Sequence, residues 1–313
     1  MLFELAAIDV EYTLKRNNFL ALNNLWLTGQ TGKTVGIVGE SGCGKSTLGK
    51  VLLGLQKPKS GTVLFNSHNM FDLSKKELKQ VRKEIQPVFQ DPDAALNPRM
   101  TIEQQLQEGL RAHNLMPPSV FSQHVATLLE MVQLPSEVAK RYPFQLSGGQ
   151  KQRICIARAL SVKPQLIVCD EPLSSLDMPI RLQIVELLLN LQAQERVAYL
   201  FITHDLTTLK WLAHSIAVLY LGAVVEWSDA ASLYTDPLHP YTQALLSAQP
   251  IPDPIQERSK KRIILHGDVP SPLNPPSGCP FHTRCPEKMA RCEHEKPLLK
   301  EIGKRRVACH LYA

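Results

Sequence analysis

Thr34-Val35-Gly36-Ile37-Val38 runs directly into Gly39-Glu40-Ser41-Gly42-Cys43-Gly44-Lys45-Ser46-Thr47. The first five residues form a short apolar run, the pattern of a strand buried on both faces. The next nine match the phosphate-loop spacing of glycine, four residues, then Gly-Lys-Ser. Small residues let successive backbone N–H groups turn inward on phosphate oxygens. A helix starting near Lys45 aims the positive end of its dipole at the same anion. On this reading Gly39, Ser41, Gly42, Cys43 and Gly44 line a phosphate cradle. Lys45 reaches the β- and γ-phosphates, the Ser46 hydroxyl ligates Mg²⁺, and Thr47 adds a hydrogen bond on the α-phosphate side. A flexible turn with a chance lysine is the competing explanation; the strand before the loop and the helix after it argue against that.

Two further apolar runs read as strands of the same parallel sheet. Leu166-Ile167-Val168-Cys169 ends at Asp170-Glu171, and Val197 to Thr203 ends at His204-Asp205. Helical patterns lie between them, as in Arg181 to Gln194 with Ile184, Leu187, Leu188 and Leu191. Together they predict an α/β chain with a mostly parallel core. Residues from about 91 to 160 lack such runs. Phe121, Val125, Leu128 and Val132 there mark one face of an amphipathic helix, so the segment reads as a helical insertion.

Two acids at a strand end suit nucleotide chemistry. Asp170 can hold the Mg²⁺ shell, and Glu171 beside it can act as general base on the attacking water. A solvated turn or helix cap would explain an acidic pair equally well if it stood alone. It does not stand alone. Gln90 lies in Val88-Phe89-Gln90-Asp91, then come Leu146-Ser147-Gly148-Gly149-Gln150, the acidic pair, Ser174-Ser175-Leu176-Asp177, and Ile202-Thr203-His204-Asp205.

Phosphate loop, glutamine loop, LSGGQ signature, carboxylate pair, D-loop and switch histidine in this order resemble an ABC ATPase cassette over roughly residues 1 to 235. The resemblance implies a P-loop NTPase (RecA-like) ABC ATPase core with a helical subdomain, binding ATP and Mg²⁺. It further implies that Gln90 contacts Mg²⁺ and the water, and that His204 touches the γ-phosphate. By the same resemblance Ser147, Gly148, Gly149, Gln150 and Asp177 belong to the nucleotide site, with the signature facing ATP held by a second cassette. Ser147 and Gln150 also spell a capping box; a capped helix start with two glycines presents N–H groups to an anion as well. Tyr12 matches the position of an aromatic that stacks on adenine, with Phe19 as its competitor.

The rest of the chain narrows the class. About 100 residues separate loop and signature without sustained heptads, unlike the coiled-coil repair and chromosome ATPases. One cassette is present where translation factors of this kind carry two. No apolar run approaches the ~20 residues that span a bilayer, as a fused exporter would require, and the N-terminus does not read as a secretory signal. A net charge of +6, with lysines and arginines dispersed apart from small clusters such as Lys260-Lys261-Arg262 and Lys304-Arg305-Arg306, reads as a solvated surface, not a nucleic-acid face. Phe89-Gln90-Asp91-Pro92, Leu96-Asn97-Pro98-Arg99, His239-Pro240-Tyr241-Thr242-Gln243-Ala244-Leu245-Leu246 and Gly267-Asp268-Val269-Pro270-Ser271-Pro272 resemble the ATP-binding subunits of dipeptide/oligopeptide ABC importers. That family implies a second, different ABC ATPase subunit, two integral-membrane permeases, an extracytoplasmic solute-binding protein, and a peripheral place on the cytoplasmic face of the inner membrane. The same family also imports nickel, metallophores and antimicrobial peptides.

After Asp236 prolines crowd the chain: Pro237, Pro240, Pro250, Pro252, Pro254, Pro270, Pro272, Pro275 and Pro276. Such a stretch cannot hold long helices or central strands. It reads as a linker to a small C-terminal module within 236–313 that holds Cys279, Cys285, Cys292 and Cys309. Gaps of five, six and sixteen residues differ from the short pairs of zinc ribbons. Four thiolates suit a [4Fe–4S] cluster, which related importer ATPases carry here; zinc, with His282, His294 or His310 as a replacement ligand, and free thiols are the alternatives.

Overall fold

A strand buried on both faces cannot alternate polar with apolar residues, and in the computed structural model all five positions of Thr34–Val38 are buried. The structure describes residues 1–14, 17–250, 258 and 260–312; Pro252 and Pro254 lie outside the described residues. In chain order the strands are β1 Phe3–Leu14, β2 Asn17–Gly29, β3 Thr34–Val38, β4 Ser60–Phe65, β5 His68–Asn69, β6 Ile85–Val88, β7 Leu166–Asp170, β8 Ala198–Ile202, β9 Ser215–Tyr220, β10 Ala223–Asp229, β11 Lys300–Ile302 and β12 Arg305–Val307. The helices are α1 Lys45–Leu52, α2 Lys75–Glu84, α3 Pro92–Ala95, α4 Ile102–Ala112, α5 Phe121–Met131, α6 Gly148–Leu160, α7 Met178–Glu195, α8 Leu206–Leu212, α9 Ala230–Thr235 and α10 Pro240–Ser247.

The main sheet has the order β11-β12-β10-β9-β3-β8-β7-β6, and a smaller antiparallel sheet the order β2-β1-β4-β5. Strands β6, β7, β8, β3 and β9 run parallel. Successive side chains of a strand face opposite ways, and the core follows. Val168, Leu200 and Ile202 join Leu48, Val51 and Leu52 of α1 in one apolar cluster, which the small sheet closes. Ile167, Cys169, Tyr199 and Phe201 join the helices α4 to α8 in the other.

The expected insertion is helical: from Pro92 to Leu160 every described regular element is an α- or 3₁₀-helix. Helix α5 buries Phe121, Val125 and Leu128, and Val132 is fully buried at its C-cap. Helix α7 covers the predicted 181–194 pattern and buries Ile184, Leu187, Leu188 and Leu191.

The proline-rich tail departs from the linker reading. Prolines do limit its helix to the eight residues of α10, with Pro240 in the first turn. Yet His239, Tyr241 and Thr242 are buried. The fully buried Glu226 carboxylate of β10 accepts the backbone N–H groups of Leu238 and His239, each at 2.8 Å. Strand β12 then extends the main sheet, pairing Glu226 with Val307 and Trp227 with Arg306. Cys279, Phe281 and Cys292 belong to the main apolar cluster, not to a core of their own. So short a segment buries too little surface to fold alone and packs on the sheet edge instead.

His239 caps α10 through Nδ1, which accepts the Tyr241 N–H at 3.0 Å. Complete burial lowers its pKa to about 3. The unfolded chain therefore binds the proton first as pH falls below about 6.5, and the stability of the neutral, buried form is lost progressively from there toward pH 3. Between pH 6.5 and 5.0 this single group is expected to cost about 2 kcal/mol. His239→Asn keeps a capping acceptor without the titration. Urea unfolding at both pH values should show the extra acid loss in the native chain and not in the variant.

Candidate active site

Three neighbouring strands deliver the site. The phosphate loop leaves the carboxyl end of β3, the acidic pair leaves β7, and His204 leaves β8. In open α/β sheets ligands bind outside these ends. The register is set by backbone bonds: Asp170 pairs with Ile202, Glu171 N–H donates to the Ile202 carbonyl at 2.9 Å, and Thr203 N–H donates to the Ile37 carbonyl at 3.0 Å.

The loop requires its glycines. Gly44, at φ +106°, caps α1, and a Cβ there would meet the Ala21 carbonyl oxygen at 2.4 Å. A Cβ on Gly39 would meet the Leu219 carbonyl oxygen at 2.3 Å. Lys45 is buried, and its ammonium donates to the carbonyls of Gly39 at 2.7 Å and Glu40 at 3.0 Å. It is thus held over the cradle by the loop itself. Burial raises the Cys43 thiol above its ordinary pKa, against the pull of the Lys45 charge, so Cys43 is a neutral, packed member of the loop.

Ser46 Oγ donates to Asp170 Oδ1 at 3.1 Å. Burial raises the Asp170 carboxyl, the Ser46 bond draws it back, and the neighbouring Glu171 charge raises it. Glu171 is held in the left-handed region at φ 48°, a conformation that costs a non-glycine residue about 1–3 kcal/mol and clusters at working sites. The Ser174 N–H and hydroxyl lock it by donating to its carbonyl, at 3.3 and 3.1 Å. Its Oε2 lies 3.2 Å from His204 Nδ1. Thr203 and Asp205 brace the histidine from either side: Asp205 N–H donates to Thr203 Oγ1, and Asp205 Oδ1 caps α8.

The remaining residues of the sequence reading stand apart. Among the described residues no hydrogen bond joins Tyr12, Gln90, Ser147 or Asp177 to this group. Gln90 is exposed between β6 and α3. Ser147 is the N-cap of α6, with both bonds of the capping box made; it and Gly148 are exposed, and Gly149 and Gln150 are half-buried. Asp177 is exposed as the N-cap of α7, accepting from Ile180. Tyr12 and Phe19, competitors in the sequence, face each other across β1 and β2 with ring centroids 6.1 Å apart.

Two residues that the sequence reading missed touch the loop. Arg284 forms a two-pronged ion pair with the Glu40 carboxylate at 2.7 and 3.0 Å. The Tyr241 hydroxyl accepts the Glu40 N–H at 3.0 Å. Their only local signals are that Tyr241 lies in the His239–Leu246 stretch and Arg284 precedes Cys285.

Cys279, Cys285, Cys292 and Cys309 lie near one another: Cys292 and Cys309 act on the Cys279 thiol and the other three on Cys285, but burial is the larger effect at both. It raises the thiols of Cys279, Cys285 and Cys309, Cys285 to about 11. Among the described residues no group of three or more His, Cys, Asp or Glu is arranged to hold a metal ion. The thiols as folded do not form a ligand cage, so the iron–sulfur and zinc expectations gain no support here.

Residues 22–174 match the ABC transporter family, and residues 225–292 the oligopeptide/dipeptide transporter C-terminal region. The putative oligopeptide transport ATP-binding protein YkfD of Bacillus subtilis is 48% identical over 95% of this chain and 91% of its own length. The oligopeptide transport ATP-binding protein OppF of Salmonella typhimurium is 42% identical over 99% of this chain and 96% of its own. Among solved structures, a dimeric ATP-binding cassette in a post-hydrolysis state, bound to ADP and Pi, superposes with a TM-score of 0.67 at 30% identity, covering 73% of this chain and 99% of that one.

Gly44→Ala tests the cradle. With a positive φ and a backbone oxygen in the way, the loop must shift, and ATP affinity measured by equilibrium dialysis should fall at least ~10-fold. Unchanged affinity would remove the loop geometry as the binding determinant.

Proposed function

This chain belongs to the ABC transporter family and is an ATP-binding subunit of the oligopeptide and dipeptide importers, and on that premise we propose how its residues hydrolyse ATP to drive uptake. One observation carries the reading: Ser46 with Asp170, and Glu171 with His204, pair at the ends of three adjacent strands. Gly39, Ser41, Gly42, Cys43 and Gly44 cradle the phosphates, Lys45 binds the β- and γ-phosphates, and Thr47 supports the α-phosphate side. Tyr12, backed by Phe19, stacks on adenine.

Ser46 and Asp170 offer hard oxygen donors 3.1 Å apart, which suit Mg²⁺; Gln90 joins them. Held by these residues, Mg²⁺ would supply positive charge to offset the negative charge on the phosphate oxygens. Glu171 takes a proton from water, the water oxygen bonds to the γ-phosphorus, and the bond from that phosphorus to the β,γ-bridging oxygen breaks to leave ADP. His204, oriented by Glu171, hydrogen-bonds the γ-phosphate. Gln90 passes the occupancy of the site to the helices: Asp93, three residues on, pairs with Lys151 of α6 at 2.6 Å, next to the signature turn. Ser147, Gly148, Gly149 and Gln150, with Asp177, face ATP held by the opposite cassette.

The subunit works with membrane permeases and a partner ATPase. We read the partner as a different ATPase, so that two unlike cassettes close over two ATPs, and the solute as delivered by an extracytoplasmic binding protein. No helix among the described residues is long and apolar enough to cross a membrane; the subunit sits peripherally on the cytoplasmic face of the inner membrane. Residues 1–235 form the nucleotide-binding domain, with the helical subdomain at about 91–160, and 236–313 the importer extension.

Glu171→Gln removes the base and keeps the shape. Turnover of the assembled transporter should fall at least ~100-fold with ATP binding retained, and uptake of a labelled dipeptide should fall with it while nickel uptake stays unchanged. Undiminished hydrolysis would remove Glu171 as the base; loss of nickel uptake alone would reassign the solute. Iron and acid-labile sulfide assays of anaerobically purified protein test whether Cys279, Cys285, Cys292 and Cys309 hold a [4Fe–4S] cluster; absence of both would discard it.

A further inference from the structure

The Glu40–Arg284 contact joins residues 244 positions apart in the chain. It brings the C-terminal extension onto the phosphate loop itself. The pair is well shielded: the Arg284 side chain is 8% exposed and that of Glu40 26%. Both carboxylate oxygens are engaged, one by each terminal nitrogen of the guanidinium, the bidentate geometry that only arginine provides. The Tyr241 hydroxyl holds the backbone of the same residue. Tyr220 packs edge to face on Tyr241 and on Phe281, with ring centroids 4.8 and 5.3 Å apart, and Tyr241 and Phe281 are tilted at 5.4 Å.

The charge bookkeeping explains why such an anchor is needed. Glu40 lies inside the loop that receives a polyanion, and its carbonyl is already in contact with Lys45. An unpaired carboxylate here repels the triphosphate across a partly dry site. It also competes with the γ-phosphate for the Lys45 ammonium. A guanidinium bound to both of its oxygens offsets that charge and occupies the carboxylate.

We propose that Arg284 is a positioning residue for ATP binding, which neutralises Glu40 and so makes the C-terminal extension part of the nucleotide site. The extension then does more than extend the sheet: one of its side chains sets the charge at the phosphate loop. Arg284 adjoins Cys285, so a change in that segment is felt at the phosphates.

The proposal rests on MgATP occupying this loop. The test is equilibrium dialysis of the full chain against radiolabelled MgATP, with melting temperatures taken in parallel. Arg284→Met keeps the length of the stem and removes the charge. It should weaken binding about 10-fold, equivalent to ~1.4 kcal/mol. Arg284→Lys, which keeps a charge but loses the two-pronged contact, should fall between native and Arg284→Met. The decisive variant is Arg284→Met with Glu40→Gln: with no carboxylate left to neutralise, affinity should return to within ~3-fold of Glu40→Gln alone. A purely structural arginine would not be rescued that way. Native affinity in Arg284→Met, or a double variant as weak as Arg284→Met, overturns the proposal. Should Arg284→Met melt below the assay temperature, Arg284→Gln carries the same comparison. Lys45→Ala separates the premise: unchanged affinity there discards this loop as the ATP site, whatever Arg284 does.

Discussion

The site depends on β8 lying between β3 and β7. Ile202 is its junction: it pairs with Asp170, and its carbonyl receives the Glu171 N–H. One residue further on, Thr203 ties β8 back to Ile37 of β3. These are backbone bonds, indifferent to side-chain identity, and they bring the ends of three strands level. A slip of one residue in β7 would turn Asp170 and Glu171 onto the wrong faces. Fully buried side chains on both faces of these strands make such a slip costly.

On that frame the polar residues hold one another. Ser46 reaches Asp170 across two strands, and Glu171 reaches His204 across one. The left-handed backbone at Glu171 is retained because Ile202 and Ser174 bind its N–H and carbonyl on either side. The conformation lifts the side chain off the strand direction and toward the histidine. Local strain is thus held by tertiary bonds, as expected where geometry matters more than local stability.

The C-terminal extension is the second tie. Glu226 is a buried carboxylate satisfied by two backbone N–H groups of the tail, β12 extends the sheet, and Arg284 with Tyr241 reaches the phosphate loop. Each of these polar contacts lies in a largely apolar setting, where an unmade bond is expensive. They specify one docking of the tail, which is why a proline-rich segment with little regular structure still has a fixed place.

How much of this was legible in the chain follows from the range of each interaction. The phosphate loop, the Ser147–Gln150 capping box, the fully apolar strands and the face of α5 are set by neighbours within a few positions, and residue types at fixed spacing reveal them. The tail misled for the same reason: proline density reports local backbone freedom, whereas the burial of His239 and Tyr241 is decided by a strand elsewhere. Tyr12 and Phe19 looked like alternatives because their pairing across β1 and β2 is invisible until the register is known. Four cysteines in one segment suggested a ligand set, but coordination needs angles and distances that spacing does not carry. By itself the sequence determined the nucleotide chemistry, the α/β class and the family, because those rest on short motifs. Only the tertiary structure decided that Arg284 meets Glu40 and that the extension shares the main core, because these contacts join residues hundreds of positions apart, where no periodicity or spacing links them.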